Sequence, residues 1–401
     1  MALAKNIYDA YVRILREEML CAQGCTEPIA IALCAALARK TLGKDAESIL
    51  VETTGNMIKN VQSVHIPGAG GLIGIESAAI IGMVGGNADK QLEVLTELKP
   101  EHVEKTKELY EKGICKVKLL PGVPGLRIII TMKAGNDTAV VEIDKNHTNI
   151  TRNELNGKSL IEHKAGEVTA DEEKTSDLSV LNIHDCLTFS KEVNLADVQK
   201  ELDTAINCNT AIAEEGLKND WGARVGKTLL SLKKGDDDIL TVMKAYSAAG
   251  SDARMAGCPM PVVINAGSGN QGITITMPVV KYAEYVGASK ELLDRALVFA
   301  NLVGIHQKTA IGVLSAYCGA ISAAIGAIAG VAFIDGASEE VIDNTIISAL
   351  CTLSGTICDG AKSSCATKIA GGIDAAWTPG WNPPPPCPGR CGTWAAAPAS
   401  A

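Results

Sequence analysis

The chain has 401 residues, 37 Lys+Arg against 46 Asp+Glu, a formal net charge of −9, 47% apolar residues and few aromatics (Phe 3, Tyr 7, Trp 4). That apolar fraction excludes a disordered chain. The acidic, ring-poor composition excludes a nucleic-acid binder, which needs cations for phosphates and rings for bases. Thirteen cysteines with no secretory signal point to a reducing compartment, read here as the cytoplasm, and to free thiols or metal ligands rather than a disulfide framework.

Residues 1–40 read as helix, the first one with Ile7, Tyr11, Ile14 and Leu15 on one face. Gly24-Cys25-Thr26-Glu27-Pro28 opens the second, with Pro28 in its first turn and Thr26 as a cap candidate. Residues 46–60 mix helix and strand signals, and 116–150 reads as β-structure. Leu126–Met132 and Thr138–Ile143 are its strand runs, and Pro121-Gly122, Pro124-Gly125 and Gly135-Asn136-Asp137 its turns. Residues 171–176 read as loop, 192–234 as helix, and 240–375 as Ala/Gly-rich helix interrupted by glycine loops.

The run from Thr309 to Ile334 carries no charge, yet its Ala, Gly and Ser gain little from lipid, so it reads as one closely packed buried helix and not a membrane span. These spans predict an α+β fold. A largely helical body is formed by both chain ends (1–45 and 181–376), with an α/β section (46–180) inserted between them. The tail, 377–401, holds three of the four Trp and seven of the 15 Pro, and reads as irregular, an altered end standing where a helix would be.

Several residues could carry chemistry. Cys25, at the positive end of a helix dipole, has a bias toward the thiolate. Gly267-Ser268-Gly269-Asn270-Gln271-Gly272 can turn backbone N–H groups onto an anion such as a carboxylate, though many glycine loops are only turns. His306 and Lys308 are read as a helix start ahead of the segment containing Cys318. Cys358 and Cys365 lie seven apart; on a straight helix they would be ~10 Å apart along the axis. They would therefore serve an iron–sulfur cube, or a helix broken at Gly360, more easily than one zinc. Spacing alone leaves two inert buried thiols an equal alternative.

GCTEP at 24–28, NMIKN at 56–60, IPGAGG at 66–71, GSGNQG at 267–272, HQKTAIGVLSAYCG at 306–319 and CDGAKSSC at 358–365 together resemble the L-cysteine desulfidase family. This is the YhaM-like, or UPF0597, group, related to iron–sulfur L-serine dehydratase alpha chains. The resemblance implies a [4Fe-4S] cluster on Cys318, Cys358 and Cys365, with Cys25 as catalytic base or as a cap on the fourth iron. It implies release of pyruvate, ammonia and hydrogen sulfide from L-cysteine. Asn56, Lys59, Ser268, Gly269, Asn270 and His306 are the expected substrate-binding residues. The expected partner is a small amino acid, with no nucleic acid or membrane, and a homo-oligomer is allowed. The rival expectations are L-serine dehydration by the same cluster, a pyridoxal-phosphate lyase, and an inactive amino-acid-binding copy.

Overall fold

A computed structural model of the chain describes residues 3–23, 26–123, 125–161, 176–312 and 314–378. Cys25, most of the polar loop expected at 171–176 and the tail from 379 onward lie outside the described residues. In chain order the elements begin with α1 (Lys5–Glu18), β1 (Cys21–Gln23), α2 (Thr26–Leu42), β2 (Ser48–Thr53), α3 (Gly55–Val61), α4 (Gly74–Gly85) and α5 (Pro100–Glu111). The strands β3 (Cys115–Leu119), β4 (Arg127–Ala134), β5 (Asp137–Asp144), β6 (Ile150–Leu155) and β7 (Lys158–Ser159) follow. Then come α6 (Ile183–Glu192), α7 (Gln199–Lys218), α8 (Val225–Ser231), α9 (Ile239–Met255) and β8 (Pro261–Val263). The last helices are α10 (Gly269–Val286), α11 (Lys290–Ile311), α12 (Gly319–Ile334), α13 (Glu339–Leu353) and α14 (Ser364–Trp377). The fold is α+β.

Two packing units result. In the first, six strands run in the order β3-β2-β4-β5-β6-β7, with β2 and β3 parallel and the other neighbours antiparallel. Strand β4 buries Ile128, Ile130, Met132 and Ala134, and β5 buries Ala139, Val141 and Ile143, the two-residue period of a half-covered sheet. Helices α2 and α4 cover that face, and one core runs from Ile29 through the strands to Ile143. Helix α2 was expected in the helical body. It joins the sheet instead because nearly all its length is apolar, and its Ile29, Ile31 and Leu33 complete the sheet's core.

The second unit packs α1 and α6 with α7 and the helices from α9 to α14. The two-stranded ladder β1–β8 ties residues 21–23 to 261–263 within the chain's two ends. The uncharged run at 309–334 is not one helix: α11 ends at Ile311 and α12 starts at Gly319, with a loop between. Gly312, at φ +81°, takes the chain out of α11 where a side chain would be strained. The apolar helix that remains is buried all round. A Cβ at Gly326 would come within 2.6 Å of the Ala300 carbonyl, so only glycine lets α12 lie this close to α11. No described helix is long and apolar enough to cross a membrane.

Candidate active site at the junction of the two units

A cavity of about 100 Å³ lies where the units meet. The sheet unit contributes Glu27, Asn60 and His147; the helical unit contributes Arg254, the 267–271 turn, Lys308, and Cys318, Cys358 and Cys365. The three late cysteines thus line one cavity, although 40 residues of chain separate the first from the second.

Backbone pairing explains how two of them meet. Tyr317 and Ile357 form an antiparallel bridge, with Cys318 N donating to the Thr356 carbonyl (3.0 Å) and Cys358 N to the Ala316 carbonyl (2.8 Å). Side chains alternate across such a ladder, so Cys318 and Cys358 fall diagonally on one face, roughly 7–8 Å apart between backbones. Tyr317 and Ile357, on the other face, are exposed. Gly360 then turns the chain at φ +100°, and α14 starts four residues later and brings Cys365 to the same cavity. Its thiol donates to the Gly360 carbonyl at 3.7 Å.

Burial pushes the Cys318 and Cys365 thiols up; Cys365 also feels negative charge on Cys318 and Cys358, and Cys318 that on Cys358. Among the described residues, no three His, Cys, Asp or Glu side chains gather tightly enough for a single metal ion. Three thiols lining one cavity, too spread for a single ion, are of the chemistry that an iron–sulfur group takes, so the residues present fit such a group. Lys308 is buried beside them: burial lowers its pKa, while Cys358 and Cys318 pull it up. Lys368, paired with Asp359, lies within electrostatic reach of Cys318 and Cys365.

The same cavity takes in the start of α10, which begins at Gly269 with no side chain capping its first N–H groups; the Gln271 side chain lies against Gly319, beside Cys318. Arg254 is buried behind this turn, where a Cβ on Gly269 would meet its Nε at 2.5 Å. Asn270 and Gln271 are buried, and Asn270 Oδ1 and Gln271 Oε1 have no hydrogen-bond partner. The Arg254 guanidinium and the helix N-terminus are donors of the kind a carboxylate takes, whereas the two open amide oxygens are acceptors and suit an N–H or ammonium group. Across the cavity, Asn60 Nδ2 donates to Glu27 Oε1 at 3.2 Å. His147, on the turn between β5 and β6, has a buried Nε2 without a partner, and burial lowers its pKa despite the nearby Glu27.

Of the residues singled out in the sequence, Ser268, Asn270, Cys318, Cys358 and Cys365 line the cavity. Gly269 sits just behind it, against Arg254. Asn56 and Lys59 instead donate to the backbone carbonyls of Leu314 and Ser315, at 2.6 and 2.8 Å. His306 is in the closing turns of α11, not at a helix start, and does not line the cavity; Lys308, two residues on, does.

Sequence reasoning missed His147 and Arg254, and named Gln271 only as part of the glycine loop. Arg254 had a faint signal, as a charge inside a run of small residues that could only be buried. The Lys145-Asn146-His147 turn gives none, since nothing in it separates a site histidine from a surface one.

The family model described as "Serine dehydratase alpha chain" matches residues 89–379. The UPF0597 protein of Lachnoclostridium phytofermentans is 47% identical over 370 residues, 92% of this chain and 88% of that protein. Those of Treponema denticola (44%, 94% and 88%) and Desulfitobacterium hafniense (42%, 92% and 85%) are similar to the chain over the same extent. With a matched region that takes in Arg254, the start of α10 and all three cavity thiols, the chain belongs to the serine dehydratase alpha chain family.

Proposed function

We propose that the protein is an iron–sulfur lyase that α,β-eliminates a small amino acid, with L-cysteine as substrate and pyruvate, ammonia and hydrogen sulfide as products. The observation that carries this reading is one cavity lined together by three thiols, the Arg254 guanidinium and the uncapped start of α10. Cys318, Cys358 and Cys365 would hold a [4Fe-4S] cluster. When bound, such a cluster supplies a Lewis-acidic iron with an open position, able to draw electrons from a leaving group or carboxylate.

The chain's own residues supply the rest. Arg254 and the first N–H groups of α10 hold the carboxylate, with Ser268 and Asn270 at its edge; Glu27 faces the ammonium. This fixes the amino acid with its Cα toward His147. His147 is neutral at pH 7 because burial disfavours its charged form, so Nε2 accepts the Cα proton. Electrons from the Cα–H bond form the Cα–Cβ double bond as the Cβ–S bond breaks, and sulfur leaves with that bond's pair. Aminoacrylate results; its imine tautomer takes up water to give pyruvate and ammonia. The Lys308 ammonium offsets the negative charge gathering at the thiol wall. Cys25 is the second candidate base, argued from its position before α2 alone.

A second reading, L-serine dehydration, is favoured by the description of the matched family. The two substrates differ in one leaving atom. Anaerobically reconstituted protein given each amino acid separates them: equal sulfide and pyruvate from L-cysteine, with L-serine at least tenfold poorer in kcat/KM, supports the desulfidase. Faster pyruvate release from L-serine overturns it.

A further inference from the structure

Helix α3 bears the Asn56-Met57-Ile58-Lys59-Asn60 motif; its Asn60 lines the cavity, but Asn56 and Lys59 point at backbone. Asn56 Nδ2 donates to the Leu314 carbonyl at 2.6 Å and Lys59 Nζ to the Ser315 carbonyl at 2.8 Å. Those carbonyls belong to the loop that leads to Cys318. The far end of the same helix holds the other thiol loop: Ala361 N donates to the Asn60 carbonyl at 3.3 Å, and Gly360 lies so close that a Cβ would meet the Lys59 carbonyl at 2.0 Å. One short helix therefore touches both segments that carry Cys318 and Cys358, and it does so from the other packing unit: Met57 and Val61 are fully buried in the sheet's core.

We propose that α3 is a clamp: Asn56 and Lys59 are positioning residues that hold the Cys318 loop against the Cys358 loop, so that the thiol wall forms only when the sheet unit is docked. Beside these two donors, the loop at 314–318 is held by Leu314 packed on the sheet unit's core and by Tyr317 N donating to Ser315 Oγ at 3.0 Å. Outside its bridge to 356–358 it is not in a helix or strand, and Tyr317 is exposed. A lysine and an asparagine donating to consecutive carbonyls fix the direction of that backbone, and hence where the next side chains project. The inference rests on the reading of the three cysteines as one ligand set, but its test needs neither iron nor turnover.

The experiment is thiol alkylation of metal-free, reduced, full-length protein, with each cysteine followed by mass spectrometry. Lys59→Met and Asn56→Leu keep size and remove the donor. Each is expected to raise the labelling rate of Cys318 and Cys358 about tenfold, as local opening becomes easier. Lys59→Arg, which keeps a donor, stays within about twofold of the parent. Cys34 and Cys186, both fully buried in the two cores, report on folding and stay unlabelled. If they become labelled in Lys59→Met, Asn56→Leu carries the measurement, because it removes only a neutral donor. Unchanged rates at Cys318 and Cys358 in a folded variant overturn the clamp.

In iron-loaded protein, the variants lose iron faster while KM of the remaining loaded fraction is unchanged. A raised KM with iron fully retained makes Asn56 and Lys59 substrate ligands instead. The two ideas also fail separately. A parent that binds no iron but shows the tenfold change keeps the clamp and loses the cluster, and the reverse result keeps the cluster and loses the clamp.

Discussion

The sheet and the thiol wall are built by opposite means. In β4 and β5, eight residues pair with eight in unbroken antiparallel register, and every second side chain is buried. Each residue's place follows from its immediate neighbours, because alternation along the strand is enough to choose the face. At the thiol wall no such local rule operates. Cys318 is set by a bond to Thr356 and by two donors from α3 on its approach; Cys358 is set by a bond to Ala316. The sheet can be read along the chain, whereas the site exists only across it.

The sharpest way to break this contrast is to remove one member of the wall. Cys358→Ala should abolish the brown absorbance of reconstituted protein and lower activity by at least about a thousandfold, since two thiols cannot hold a cluster that needs three. Iron and labile-sulfide counts measured with turnover check it. A colourless yet active variant removes the cluster from the account of this site.

The next largest effect falls on His147, the one group among the described residues that the sheet unit sends into the cavity from a turn. His147→Gln keeps size and a hydrogen-bonding end but cannot take a proton at neutral pH. It should keep its iron and lose about 10²–10⁴ in kcat. The pH profile carries the sign. Burial lowers the pKa of His147 below the ordinary 6.5, so the base stays unprotonated into mildly acid solution. The acid limb of kcat/KM should therefore lie below 6.5, and activity should be lost as the pH falls through it. In His147→Gln that limb should vanish. An unchanged limb in the variant hands the proton to another group, with Cys25 first in line.

How much could be read in advance follows the same divide. The runs at Leu126–Met132 and Thr138–Ile143 became β4 and β5 because period-two burial and the Gly135-Asn136-Asp137 turn are local signals. The glycines at 267–272 read as a loop, whereas α10 begins among them at Gly269. Helix α2 was assigned to the wrong unit, since an all-round apolar helix packs equally well on helices or on a sheet and its sequence does not say which. The uncharged 309–334 run hid a loop because Gly312 alone ends α11, and an isolated glycine is common inside Ala-rich helices. In the site, the cysteines were legible as a spaced set. Asn56 and Lys59 stood out as polar residues without revealing that their partners are carbonyls some 250 residues away in the chain. His147 was silent, because its meaning lies in what surrounds it after folding: a buried nitrogen with no partner.

The same divide gives a prediction in which the stability effect is large and the effect on the site is the smallest. Ile130 is fully buried in the middle of β4, paired in register with Val51 of β2 and Val141 of β5, both also fully buried. Ile130→Ala removes three carbons from a place where neighbours on both sides are held by strand pairing and cannot collapse inward. The loss should be about 2–5 kcal/mol of stability, toward the upper end for a site this confined. The sheet unit meets the thiol loops through α3, anchored by Met57 and Val61, and through Leu314 and Ala361 packed on its core, none of which is strand-paired with Ile130. Below the melting transition, iron content and alkylation of Cys318 should stay within about twofold of the parent. Measuring denaturation and thiol labelling on the same sample tests both halves. If Ile130→Ala loosens Cys318 while the protein is still folded, the sheet's packing reaches the site directly, and the two regions are one cooperative structure.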